Sequence, residues 1–134
     1  MNNGKNVKTK SEFWGKEYIG YRGMDAIIKL LLEKQGYVKG AFYRIEVGYI
    51  DLVWGDKNGG LLHLINKRDR LKKQGRGKIS GIEMVKKIPA IIENGKYTKG
   101  EKNIHFDYDG YRVAVSQEYL DNKVNWVVTA IEVW

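Results

Sequence analysis

The sequence has no cysteine, one proline and only two histidines among its 134 residues. Without cysteine there can be no disulfide framework, no thiol nucleophile and no cysteine-based zinc site. No run of apolar residues approaches the roughly 18 that a helix needs to span a bilayer, and residues 1–10 lack the apolar core of a secretory signal. We therefore expect a protein that works in a cytosol-like compartment and not in a membrane.

Several catalytic signatures are missing as well. The chain has no Walker-type phosphate loop, no G-x-S-x-G elbow and no H-E-x-x-H pair. The clusters of Asp and Glu that hold metal ions in two-metal nucleases are also absent from the sequence. The expectation is therefore an activity that uses neither a metal ion nor a cofactor.

The chain does contain enough apolar material for one folded domain. Hydrophobic residues make up 43% of the sequence and aromatic residues 12%, and a chain of this length buries about two-thirds of its unfolded surface. Residues 1–20, rich in Asn, Gly and Lys, are predicted to form a flexible arm that ends in a short docking segment. Residues 21–134 are predicted to form the single domain.

Positive charge is concentrated in one segment. The net charge is +8, and residues 67–78 hold seven basic residues against one acid, Asp69, which leaves only +2 for the rest of the chain. A local excess of this kind indicates an anion-binding loop, and a solvated charge run is the alternative. The glycines at positions 75 and 77 indicate flexibility that suits contact with a nucleic-acid backbone.

Hydrophobic periodicity predicts an α+β fold, with helices mostly first and an antiparallel sheet after them. Pro89 predicts a kink or a break in the last helix, and Asp109-Gly110 is a strong hairpin signal. The predicted elements are a helix over 24–35, two short strands or one bulged strand over 41–54, helices over 61–72 and 81–93, and strands over 102–108, 111–116 and 125–133.

Alternation along the strands sorts side chains onto two faces. In the strand over 111–116, Arg112, Ala114 and Ser116 form a polar stripe opposite three apolar residues. In the last strand, alternation places Trp126, Val128 and Ala130 on one face and Val127, Thr129 and Ile131 on the other. His105 and Asp107 share a face of the strand before the hairpin, where they form an oriented imidazole or are merely solvated.

Metal-free RNA cleavage needs a base for the 2′-hydroxyl proton, an acid for the leaving 5′-oxygen and donors for the charged phosphorane. A histidine with several Arg, Lys, Ser and Thr side chains meets that requirement. His63 stands at the head of a predicted helix that runs into the basic segment. From the residues alone, contact with nucleic acid is supported and RNA cleavage is one candidate.

Six motifs in order add a family resemblance. They resemble those of the phage-associated and polymorphic-toxin endoribonucleases of the barnase–EndoU–colicin–RelE superfold, over residues 36–132. The motifs are Lys39-Gly40-Ala41-Phe42, Val47-Gly48-Tyr49-Ile50-Asp51-Leu52-Val53-Trp54-Gly55, Gly60-Leu61-Leu62-His63-Leu64-Ile65, Ile88-Pro89-Ala90-Ile91-Ile92, Gly110-Tyr111-Arg112-Val113-Ala114-Val115-Ser116 and Asn125-Trp126-Val127-Val128-Thr129-Ala130.

The resemblance implies N-terminal helices packed on one face of a four-stranded antiparallel sheet, with the active site on the other face. It also implies a toxin that cleaves RNA, with tRNA as the expected substrate, and leaves a 2′,3′-cyclic phosphate. The implied catalytic residues are His63 for acid–base work and Arg112, Ser116 and Thr129 for the phosphate. The basic segment, not the resemblance, supplies the expected substrate-binding residues, which are Lys67, Arg68, Arg70, Lys72 and Lys73.

Two positions depart from the family pattern. The family usually reads Gly-Asp-Ile-Asp where this chain has Tyr49 in second place, and it commonly has a histidine where Arg68 stands. These departures keep open a catalytically weak or inactive RNA-binding module on the same fold. A fragment whose main role is docking to a partner is a third reading.

A nuclease of this kind needs restraint in the cell that makes it. We expect an acidic immunity or antitoxin protein that covers the basic segment, because opposite potentials speed association. The expected location is the cytoplasm of a bacterial target cell, and the chain fits the C-terminal toxin domain of a larger secreted or phage-associated effector.

Overall fold

The computed structural model describes residues 9–133, and within them the chain folds into four helices around a mixed sheet of seven strands. The predicted α+β class is confirmed, and the helices and strands lie close to the predicted positions. The elements are α1 (Lys10–Trp14), β1 (Glu17–Tyr18), α2 (Met24–Glu33), β2 (Tyr37–Arg44), β3 (Gly48–Val53), α3 (Leu61–Lys73), α4 (Gly81–Asn94), β4 (Lys96–Lys99), β5 (Asn103–Tyr108), β6 (Tyr111–Tyr119) and β7 (Asn122–Glu132).

The sheet is larger than predicted and is not wholly antiparallel, so the four-stranded antiparallel sheet was wrong. The strand order is β1-β2-β3-β7-β6-β5-β4. β1 pairs in parallel with β2, and β3 pairs in parallel with β7 through Asp51 and Trp126. β1 and β4 are only two and four residues long, too short to show an alternating pattern. The pairing of β3 with β7 joins segments far apart in sequence, which periodicity does not reveal.

α4 is one continuous helix with Pro89 inside it, so the predicted break does not occur. Its start is stabilised by a capping box in which Ser80 accepts the N–H of Glu83 and the Glu83 carboxylate accepts the N–H of Ser80. At the other end, the Arg44 guanidinium donates to the carbonyls of Ile92 and Gly95 at 2.7 and 2.8 Å. The stabilisation from these caps and from the buried apolar face offsets the loss of the backbone hydrogen bond that Pro89 cannot make.

The main core lies between α2, α3 and α4 and one face of the sheet. A second, aromatic cluster lies on the opposite face, where Trp14 of α1 packs against Tyr37, Tyr119 and Trp126. The end of the segment predicted as a flexible arm is therefore helix and strand, with Trp14 only 8% exposed. Residues 1–8 of that segment lie outside the described residues. α1 thus covers part of the face that the resemblance assigned to the active site.

A β-bulge in β7 changes which side chains share a face. Val115 pairs with Val127 and Ala114 pairs with Thr129, which leaves Val128 as the extra residue between them. Simple alternation placed Trp126 and Thr129 on opposite faces, and the bulge brings them to the same one. The face assignment predicted for β7 was therefore wrong, because one extra residue reverses the alternation beyond it.

None of the helices in residues 9–133 combines the length and the apolar character that a membrane crossing requires.

Candidate active site on the open part of the sheet

α3 is attached to β7 at both ends. Before the helix, the N–H of Gly60 donates to the carbonyl of Val128 at 3.0 Å. After the helix, the N–H of Lys78 donates to the Glu132 carboxylate at 2.9 Å. Gly60 has a φ of 94°, and a Cβ there would lie 2.8 Å from the carbonyl oxygens of Val53 and Trp54. Only glycine can come this close to the end of β3. The close contact positions the first turn of α3 beside the part of β7 that contains Thr129.

Helical geometry assigns His63 and Lys67 to one flank of α3. The side toward α4 is marked by Asp69, whose carboxylate accepts the N–H of Gly81 at 2.7 Å, and by Ile65, whose backbone leaves no room for a Cβ on Gly81. At 100° per residue, His63 and Lys67 lie roughly opposite that side. Both side chains are half-buried. Among the described residues the His63 imidazole has no hydrogen-bond or ion-pair partner, so it is available to a ligand.

The polar side chains of β5, β6 and β7 form rows across the sheet, because paired residues share a face. One row joins His105, Ala114 and Thr129. With strands about 4.8 Å apart, the Cα atoms of His105 and Thr129 lie roughly 10 Å apart. The small Ala114 lies between them in the row and is 8% exposed. The predicted stripe on β6 is confirmed, and the register adds His105 to it.

Arg112 occupies the next row, opposite Asp107. Its Nε and Nη2 donate to the two carboxylate oxygens at 2.7 and 2.9 Å. This pair lowers the pKa of Asp107 and raises the pKa of Arg112. Asp107 therefore stays ionised below its usual range and holds Arg112 in one orientation. The sequence left open whether Asp107 orients His105 or is solvated, and in the structure Asp107 makes a bidentate pair with Arg112 instead.

Ser116 lies in the row on the other side of Ala114 from Arg112, and its hydroxyl makes local hydrogen bonds. Its hydroxyl donates to the carbonyl of Glu118 at 2.8 Å and accepts the N–H of the same residue at 3.2 Å. These bonds lie at a second irregularity in the pairing of β6 with β7, between Ser116 and Glu118. A phosphate at this position would have to compete with the local bonds, so Ser116 is less free to bind it than Thr129.

The residues predicted to bind substrate divide into two groups. Arg70, Lys72 and Lys73 are exposed at the end of α3, and Lys72 lies 3.7 Å from a Glu83 carboxylate oxygen. Arg68 is only 6% exposed and turns inward with the core-facing stripe of the helix. Burial lowers the pKa of its guanidinium, and the charge of Glu132 opposes that effect.

Helical geometry places His63 and Lys67 on one flank of α3, and the strand register places Thr129, Arg112 and His105 on one face of the sheet. Arg68 turns inward and Lys72 lies beside Glu83 of α4, so neither belongs to that flank of α3. The place of His105 could not be read from the sequence, because it depends on the pairing register. In the described part of the chain, no three His, Asp or Glu side chains come together in a way that could hold a metal ion.

Comparison with known proteins bears on the class of this site. A family model described as phage-Barnase-EndoU-ColicinE5/D-RelE like nuclease1 matches residues 41–133. A search of curated proteins found no match to the chain. The matched range holds α3 and every strand of the candidate site, and it covers well over half of the chain. The protein therefore belongs to this family of phage-associated nucleases that resemble barnase, EndoU, colicins E5 and D, and RelE.

Proposed function

We propose that the protein is a metal-independent endoribonuclease that leaves a 2′,3′-cyclic phosphate. Membership of a nuclease family supports the general class of reaction. The observation that carries the finer proposal is the half-buried imidazole of His63, which has no protein partner in the described chain. Arg112 and Thr129 share one face of the sheet, and these three residue types provide proton transfer and phosphate binding.

In the proposed reaction the 2′-oxygen of a ribose attacks the adjacent phosphorus. The O2′–P bond forms, the P–O5′ bond breaks, and one proton moves from the 2′-hydroxyl to an enzyme base while another reaches the departing 5′-oxygen. His63 is the first candidate for these transfers. His105 is the second, because the register places it in one row with Ala114 and Thr129.

The phosphorane carries more negative charge than the starting diester, so fixed donors aimed at it lower the barrier. Arg112 is held by Asp107 and needs no reorganisation when the charge develops. Thr129 supplies a hydroxyl, and Lys67 lies one helical turn after His63 on the same flank. Ser116 contributes if a bound phosphate displaces its bonds to Glu118.

The proposed substrate is tRNA, and the proposed setting is the cytoplasm of a bacterial target cell, reached as a toxin. Exposed Arg70, Lys72 and Lys73 support attraction of a polyanion without selecting a sequence. The same charges make an acidic immunity protein the proposed inhibitor. An inhibitor that leaves residues 67–78 exposed when bound would contradict that proposal.

The test is cleavage of tRNA by purified protein in excess EDTA, followed on a denaturing gel. We expect cut RNA whose new 3′ ends are cyclic phosphates, which resist periodate oxidation and are opened by acid. Intact tRNA with salt-sensitive binding would favour the non-catalytic RNA-binding module, which the departures at Tyr49 and Arg68 support. Cleavage that disappears in EDTA and returns with a divalent cation would contradict metal independence.

The exposed end of α3 should set the salt dependence of RNA binding. Replacing both Arg70 and Lys73 with alanine is expected to weaken binding to single-stranded RNA and to reduce the slope of log K against log salt by roughly 0.7 per charge removed. Lys86→Ala, which removes an exposed lysine from α4, is the control and should change the slope less. An unchanged slope in the double variant would place the RNA elsewhere.

A further inference from the structure

Two exposed tyrosines form a pair on the hairpin of β2 and β3, with their ring planes tilted by 59° to each other. Tyr43 and Tyr49 are each 56% exposed, although aromatic rings of this size are usually more buried. Tyr43 and Tyr49 are directly paired residues of the two strands, and their ring centroids lie 5.0 Å apart. The Arg22 guanidinium lies over the Tyr49 ring at 5.1 Å. The pair thus presents flat aromatic surface to solvent beside a cation.

A cavity of about 440 Å³ opens next to Tyr49 and is lined by several cations. Its one carboxylate belongs to Asp51, which accepts the N–H of Gly40 at 2.8 Å and has the Lys10 ammonium 2.7 Å away. Arg22, Lys39 and Lys123 make no ion pair within residues 9–133. The cavity wall therefore keeps three positive charges for an incoming anion.

The tyrosine pair and the cavity lie on the same face of the sheet as the candidate active site. Asp51 is level with Trp126, and Tyr49 stands two residues before Asp51 on that face. Because the bulge at Val128 adds no length, Thr129 lies about four strand steps further along β7 than the level of Tyr49, which corresponds to roughly 13 Å. A ligand that reaches from one place to the other must be extended and must carry several negative charges.

We propose that Tyr43 and Tyr49, together with Arg22, Lys39 and Lys123, form a second RNA subsite that binds single-stranded nucleotides outside the cleavage site. Bases stack on the tyrosine rings and phosphates lie against the cations, as aromatic platforms and basic grooves do in other single-strand binding proteins. The subsite rests on the proposed function for the identity of its ligand.

The test uses a fluorescent single-stranded RNA about 20 nucleotides long whose 2′-oxygens are methylated, which blocks cleavage by 2′-attack. Binding to the full chain is followed by anisotropy. Tyr49→Ala is expected to raise Kd about tenfold, Tyr49→Phe to stay within about twofold because the ring remains, and Lys39→Glu and Lys123→Glu to raise Kd severalfold. Tyr108→Ala, which removes an exposed tyrosine from β5, is the matched control. Tyr49→Ala should bind an oligomer with abasic sites no more weakly than the wild type does.

The outcomes separate this inference from the proposed function. If Tyr49→Ala and the two lysine variants all bind as the wild type does, the subsite is overturned, even where the wild type cleaves unmodified RNA. If Tyr49→Phe loses as much affinity as Tyr49→Ala, stacking is overturned. If the wild type binds the methylated RNA through Tyr49 but cleaves no RNA, the proposed function fails and the subsite stands. Thermal unfolding of each variant shows whether a lost affinity reflects a lost fold.

Discussion

Replacing His63 with alanine is expected to lower RNA cleavage by about 10²–10⁴-fold, the usual contribution of a positioned acid or base. The side chain lies outside the buried stripe of α3, and alanine is the best helix former, so the fold should persist. The measurement is kcat/KM on tRNA in EDTA, with circular dichroism and thermal unfolding as checks. Asn66→Ala, an exposed neighbour on the same helix, should cleave as the wild type does.

A wild-type rate in the His63→Ala protein would remove His63 from the chemistry. His105→Ala tests the second candidate in the same assay. If His63 and His105 transfer the two protons, this variant should also lose kcat/KM by about 10²–10⁴-fold.

Replacing Arg112 with alanine is expected to lower kcat by about 10²–10³-fold, as removal of one preorganised donor does in other active sites. KM should change much less, because the interaction strengthens when charge develops on the phosphorane. The variant should remain folded, since the pair with Asp107 is about one-third exposed and such pairs contribute at most about 1 kcal/mol.

Arg112→Lys is the informative companion to this variant. A lysine keeps the positive charge but cannot make the two-pronged bond to Asp107, so partial recovery of kcat is expected. In the wild type, Arg112 lowers the pKa of Asp107. The Asp107 carboxylate therefore stays charged even when the pH falls to the ordinary pKa of an aspartate, and the ion pair persists across the pH range of the assay. A loss confined to KM would show that Arg112 only binds the substrate.

Local pattern was sufficient wherever neighbours in the chain decide the structure. Apolar spacing predicted α2, α3 and α4 to within two residues at each end. The Asp109-Gly110 turn was also predictable, since both residues adopt positive φ, at 51° and 85°, as tight hairpins require. The stripe of Arg112, Ala114 and Ser116 followed from alternation alone.

The candidate site was only partly predictable, because local pattern does not show how distant segments come together. His63, Arg112 and Thr129 could be selected by residue type and motif, but their relation depends on contacts between distant segments. The bulge at Val128 decides which face Thr129 occupies, and the register of β5 on β6 decides that His105 joins it. Charge alone could not distinguish Arg68, which turns inward, from Arg70, which remains exposed.

The sequence by itself thus determined the α+β class, the three longer helices, the hairpin and the residue types available for chemistry, because these depend on spacing within a few residues. Only the tertiary structure decided the seven-stranded order, the parallel pairing of β3 with β7, the docking of Trp14 and the aromatic pair of Tyr43 and Tyr49. Each of these depends on which distant surfaces pack together, and one bulged residue or one short edge strand is enough to change that outcome.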